Sequence, residues 1–121
     1  MEKFLLVGLG GAAGAMLRYL ISLLPYKGGF PLLTLATNLL GAVLIGVIVG
    51  FAAGGRASEG WLLFLKTGLC GGFTTFSTFS LEAFSLFDGG HRLMGLAYVL
   101  CSVTACLLGV WLGERLGKAM A

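Results

Sequence analysis

The chain is short of charge. Asp, Glu, Lys and Arg make up 11% of its 121 residues, under half of the roughly 25% found in soluble domains. Acids are the scarcer sign, five against eight basic residues, and none stands between Glu2 and Glu59. That gap excludes a dinucleotide site at Gly8, Gly10 and Ala13, whose G-x-G-x-x-A spacing requires an acid about 20 positions later. The pairs Gly10/Gly14, Gly11/Ala15 and Gly8/Ala12 instead read as a small-residue packing face for another helix. There is one histidine, His91, and three cysteines, Cys70, Cys101 and Cys106. Such a set offers no metal-ligand spacing and no even disulfide framework, so the thiols read as inert and buried. A net charge of +3 spread over scattered Lys and Arg makes no basic stripe for nucleic acid. Only two prolines interrupt the chain, and Asn38 is its sole side-chain amide.

What remains is apolar. The sequence is 58% hydrophobic with 21 glycines and a mean hydropathy of +1.00, the composition of an integral membrane protein. Apolar runs at about 4–24, 32–54, 61–87 and 93–113 each reach the roughly 20 residues that a crossing needs. Short connections at 25–31, 55–60 and 88–92 leave no room for a soluble domain. We therefore expect an all-α protein in which residues 1–121 form one domain of four transmembrane helices, with the first retained rather than cleaved as a signal peptide. On this layout one side carries Lys3, Arg56, Arg115 and Lys118 with Lys66 a turn inside, and the other carries Lys27 and Arg92 with Arg18 a turn inside. Five positive charges against three set orientation weakly, so the chain is expected to insert both ways and to pair as an antiparallel dimer.

The third span is written unlike a lipid-facing helix. Over 68–82 it reads Gly-Leu-Cys-Gly-Gly-Phe-Thr-Thr-Phe-Ser-Thr-Phe-Ser-Leu-Glu, with Gly71 and Gly72 adjacent and Thr74, Thr75, Ser77, Thr78 and Ser80 supplying five hydroxyls in seven residues. Both features weaken a helix. A break near the middle of this helix is expected, and unwound backbone at membrane depth belongs in buried protein or a wet cavity, where transport proteins use it to hold ions. Gly71 is expected to need a backbone geometry that a β-branched residue opposes.

Around that break lie further polar candidates. Thr34, Asn38, Gly41 and Ile45 share one helix face, and Asn38 reads either as an interhelical hydrogen bond or as an anion donor. Tyr98, Ser102 and Cys106 follow at i, i+4, i+8. Arg18 ends the first span, where a guanidinium snorkels or faces an aqueous vestibule. Glu82 is the only acid at depth. Phe73, Phe76 and Phe79 alternate with the hydroxyls, and the electropositive edge of a phenyl ring suits an anion.

At these residues the sequence resembles the Fluc (CrcB) fluoride channels, along its whole length. The resemblance rests on Gly-Gly-Ala-Ala-Gly-Ala-Met-Leu-Arg-Tyr (10–19), Thr-Leu-Ala-Thr-Asn-Leu-Leu-Gly (34–41) and the 68–82 stretch. It implies an antiparallel, dual-topology homodimer in a prokaryotic inner membrane, with two passive fluoride pores built from both subunits. By position, Phe76 and Phe79 match the pore phenylalanines, Asn38 the pore asparagine, Tyr98 and Ser102 polar positions of the last helix, and Arg18 the vestibule arginine. Ser77, Thr78 and Glu82 join them on the anion pathway. The resemblance also implies a structural sodium ion at the dimer centre, held by the backbone carbonyls of Gly71 and Thr74 from each subunit. Cys106 departs from relatives that carry a hydroxyl there. The rival reading is a small dual-topology multidrug/proton antiporter, which needs a carboxylate deep in the first span. No enzyme is expected.

Overall fold

The computed structural model describes all 121 residues, and its regular structure is entirely helical. Helix α1 is Glu2–Ser22 and α2 is Leu32–Ala52. Pro31, with φ fixed at −74°, stands at the N-cap of α2, where a missing N–H costs nothing. Gly55 (φ 76°) turns the chain after α2, a conformation that glycine adopts without a Cβ clash. Helix α3 occupies 59–73. It starts at Glu59–Leu62, capped by Ser58, runs through Leu63–Cys70 in π-helical turns, and closes with Gly71–Phe73. Helix α4 is Phe76–Asp88 and α5 is Arg92–Met120.

Helices α1, α2 and α5 are each long and apolar enough to cross a membrane. The last outlasts its apolar run, which ends near 113, because Glu114 and Lys118 pair at 2.7 Å one turn apart and such i,i+4 pairs carry a helix beyond its apolar segment.

Packing is done by small residues and organises the helices in two pairs, α1 with α3 and α2 with α5. A Cβ on Gly14 would stand 2.7 Å from Phe73 N, and one on Gly113 would stand 3.0 Å from Val47 N. Backbones this close exclude any side chain, which is how membrane helices gain contact without a hydrophobic effect. Helix α4 leaves the first pair and leans on α5, with Phe87 under Gly95. The segment 59–88 thus begins against α1 and ends against α5.

Little of the chain is buried. Only 17 of 121 residues are, and the apolar ones among them are Ala42, Cys70, Phe73, Ala83 and Tyr98. Leucines and valines of every long helix face outward, and so large an apolar surface requires lipid or another chain against it.

Candidate functional site

The two pairs meet at Thr74 and Thr75, whose backbones are extended (φ −87°, ψ 156° and φ −145°, ψ 120°) between the last turn of α3 and the first of α4. Thr74 keeps a helical bond from its N–H to Cys70 O, but its carbonyl and both backbone groups of Thr75 are withdrawn from helical bonding, and buried groups of this kind need other partners. Asn38 on α2 supplies most of them. Its Oδ1 accepts from Thr75 N at 2.8 Å and its Nδ2 donates to Thr75 O at 3.0 Å. One amide therefore satisfies both backbone groups of Thr75, and the second Nδ2 hydrogen is left over. On the other side of the break, Arg18 Nε donates to Gly72 O at 3.3 Å. Thr74 turns inward along α3, its N and Oγ1 both donating to Cys70 O at 3.0 and 2.8 Å. Thr75 Oγ1 accepts from Thr78 N at 3.1 Å and so caps α4, as a threonine before a helix commonly does.

Beside this junction lies a groove of about 390 Å³ lined by Asn38, Gly71, Thr74, Thr75, Phe76, Phe79, Ser102 and Cys106, among others. The Phe76 ring stands 79% exposed, with its centroid 5.7 Å from that of Phe79. Ser102 is buried, and its Oγ has no hydrogen-bond partner in the chain. An unsatisfied buried hydroxyl costs about 1–3 kcal/mol, and Ser102 Oγ is the buried side-chain oxygen that lacks a partner within the chain. Tyr98 lies behind the groove, fully buried against Phe79 at 5.1 Å and Phe30 at 5.5 Å. Its hydroxyl donates to Glu82 Oε1 at 3.0 Å, which gives the one acid at depth a fixed partner.

Arg18 and Thr78 sit elsewhere, in a small cleft of about 70 Å³ shared with Ser22, Thr34, Thr37 and Thr75. Ser77 is exposed, its hydroxyl 3.4 Å from Thr75 Oγ1. Apart from the exposed Ser77, the expected candidates thus fall into three places: Asn38, Gly71, Thr74, Phe76, Phe79 and Ser102 on the groove, the bonded pair Tyr98 and Glu82 behind it, and Arg18 and Thr78 in the cleft.

Two expectations need correcting: of the three thiols read as buried, only Cys70 is, with Cys101 exposed and Cys106 half-buried, and the second concerns Gly71. Gly71 has φ −62° and ψ −39°, which any residue adopts, and a Cβ there would meet nothing within 4 Å. The glycine that the protomer requires is Gly72, where a Cβ would collide with the carbonyl oxygen of Gly11. The role of Thr75 escaped the sequence reading, although a threonine directly before a helical run is itself an N-cap signal.

Residues 5–114 match the model of the family described as CrcB-like protein, Camphor Resistance (CrcB). The chain belongs to this family. Among CrcB relatives, it is 46% identical to the "Fluoride-specific ion channel FluC" of Ruminiclostridium cellulolyticum, across 100% of this chain and 96% of that one. Proteins of the same name from Methanococcus maripaludis and Clostridium perfringens are 45% and 44% identical, across 94% or more of both chains. These CrcB relatives come from both bacteria and archaea, and this chain, like its family, is a multi-pass membrane protein.

Proposed function

We propose that the chain is a fluoride channel of the cell membrane, letting fluoride run passively down its electrochemical gradient out of the cytoplasm. The observation that carries this reading, beside family membership, is the groove at the break. It offers an amide hydrogen on Asn38, an unpartnered hydroxyl on Ser102, the exposed ring of Phe76 and the half-buried ring of Phe79, with no carboxylate in its wall. Donors without fixed negative charge suit a small anion.

The groove is open on one side, so the pathway is completed by a second copy. We read the assembly as an antiparallel dual-topology homodimer with two pores, in which α3 and α4 together make the third crossing as one helix broken at Thr74 and Thr75. Chain direction alternates through α1, α2, the α3–α4 segment and α5, and the weak charge bias fits insertion both ways. Within each pore, Asn38, Phe76, Phe79 and Ser102 meet the anion, while Tyr98 and Glu82 hold the wall behind them. Arg18, with Thr78 and Ser77, faces the entrance.

A structural sodium ion at the dimer centre fits the residues present. The break leaves the carbonyl oxygens of Gly71 and Thr74 without a hydrogen-bond donor from the chain. Carbonyl oxygens suit a hard cation, and two from each copy would hold it. The ion would supply a fixed positive centre joining the two breaks. No side-chain cluster of His, Cys, Asp or Glu competes for this role.

A drug/proton antiporter is disfavoured, since the only acid of α1 is Glu2 in its first turn. Efflux from liposomes of the purified protein tests the function: fluoride leaves and chloride stays. Equal rates for the two ions, or none for fluoride, would end the proposal.

A further inference from the structure

The groove has a cation in its wall that the pathway described above does not use. Lys66 lines it together with Cys70, Gly71 and Thr74. We propose that Lys66 is a second anion-attracting residue of the conduction pathway, acting at the end of the groove remote from Arg18. This rests on the fluoride-channel reading.

Helical spacing puts Lys66 there. Lys66, Cys70 and Thr74 recur at i, i+4, i+8, so their side chains stack along one face, and Lys66 shares the groove with them and with Gly71. The residue lies seven positions after Glu59, about 10 Å along the helix, at a depth where an ammonium is stable only if it meets water, an anion or the headgroup surface.

No carboxylate neutralises it. Glu59 pairs with Lys3, Glu114 with Lys118, and Glu82 is bonded by Tyr98. Its companions at this end of the groove are Ile45 and Val110, apolar and late in α2 and α5. Arg18 lies outside the groove, in the small cleft near the close of α1 and beside Thr34 at the start of α2. Each end of the protomer's polar route thus has one cation, and the half that lacks hydroxyls depends on Lys66. A unit charge about 10 Å from a passing anion, at an effective dielectric constant of about 20, raises the local anion concentration roughly tenfold.

Fluoride efflux is measured from liposomes holding wild-type protein, Lys66→Arg, Lys66→Met or Lys66→Glu, at low fluoride and with the oligomer checked by size-exclusion chromatography. Lys66→Met removes a costly charge from the membrane and keeps the stem, so it should assemble as wild type does. Efflux should fall about five- to tenfold in Lys66→Met, further in Lys66→Glu, and hold in Lys66→Arg. Adding an impermeant salt to about 0.3 M should narrow the gap between wild type and Lys66→Met, because exposed charges are then screened within a few ångströms. A Lys66→Met dimer that conducts as wild type at low salt means that the ammonium snorkels to the headgroups, and overturns the proposal. So does a Lys66→Met protein that no longer assembles, which makes the lysine structural. Wild-type protein that passes no fluoride brings down the channel reading and this inference together, whereas a conducting wild type with silent Lys66→Met defeats the inference alone.

Discussion

Asn38 is the side chain on which the junction most depends, and replacing it separates two roles. Asn38→Ala removes both bonds to Thr75, at 2.8 and 3.0 Å, and leaves one part-buried amide and one part-buried carbonyl without their partner. At about 1–3 kcal/mol for each stranded group, the protomer loses about 2–6 kcal/mol, a large part of a typical folding stability of about 5–15 kcal/mol. Asn38→Asp is a different perturbation. The carboxylate still accepts from Thr75 N, but it opposes the Thr75 carbonyl, cannot donate to an anion, and adds about 2.5–3.5 kcal/mol for an acid at membrane depth. Denaturation midpoint and fluoride efflux, measured on both variants, read the two roles apart. Both variants should be less stable, and efflux through Asn38→Asp should fall to background. A dimeric Asn38→Asp protein with wild-type efflux would refute the donor role. An Asn38→Ala protein with wild-type stability would refute the account of the break.

Why some of this was legible in the sequence and some was not follows from range. The long apolar runs and the small-residue faces are local signals, since a helix and the need for close approach are written in consecutive residues, as at Gly10 and Gly14. The run of glycine and hydroxyls at 71–80 pointed to the candidate site for the same reason, and Gly71, Thr74, Thr75, Phe76 and Phe79 line the groove. The bonds of Asn38 were not legible, because Thr75 is 37 positions away, and periodicity says which face a side chain is on without saying what meets it. The π turns of α3 were hidden too, as nothing in Leu63–Cys70 distinguishes them from an α-helical run. The facing of Lys66 was missed for another reason: it recurs with Cys70 and Thr74 at i, i+4, i+8, but what that face meets is not written in the sequence, where the lysine appeared only as one more charge. Gly71 and Gly72 look alike in sequence, yet only Gly72 has a backbone lying against it. A glycine signals either a torsion or a neighbour, and only the fold says which.

Three further tests address the protomer, its orientation and its pairing. Gly72→Ala should destabilise the protomer, since its Cβ would press on Gly11, while Gly71→Ala should leave protomer stability within about 0.5 kcal/mol of wild type; equal losses in denaturation would contradict the packing described. Adding two lysines to one side should fix insertion, silence the singly oriented chain, and restore efflux when it is expressed with an oppositely biased copy; full activity from one fixed orientation would rule out antiparallel pairing. The last test concerns the cation. Gly71 is exposed in the protomer, with open space where its Cβ would stand, and its carbonyl and that of Thr74 accept no hydrogen bond from the chain. Carbonyls left so at membrane depth are costly, and two copies crossing at this point would present four of them to one ion. If sodium fills that site, Gly71→Val should harm assembly more than protomer folding, by crowding the approach of the second copy. Side-chain changes at Thr74 should do less, because the ligand is its backbone oxygen. Replacing sodium with a large organic cation should weaken the dimer and lower fluoride efflux together. Ion-replacement crystallography that finds no cation between the two breaks, in protein that conducts fluoride, would end this reading.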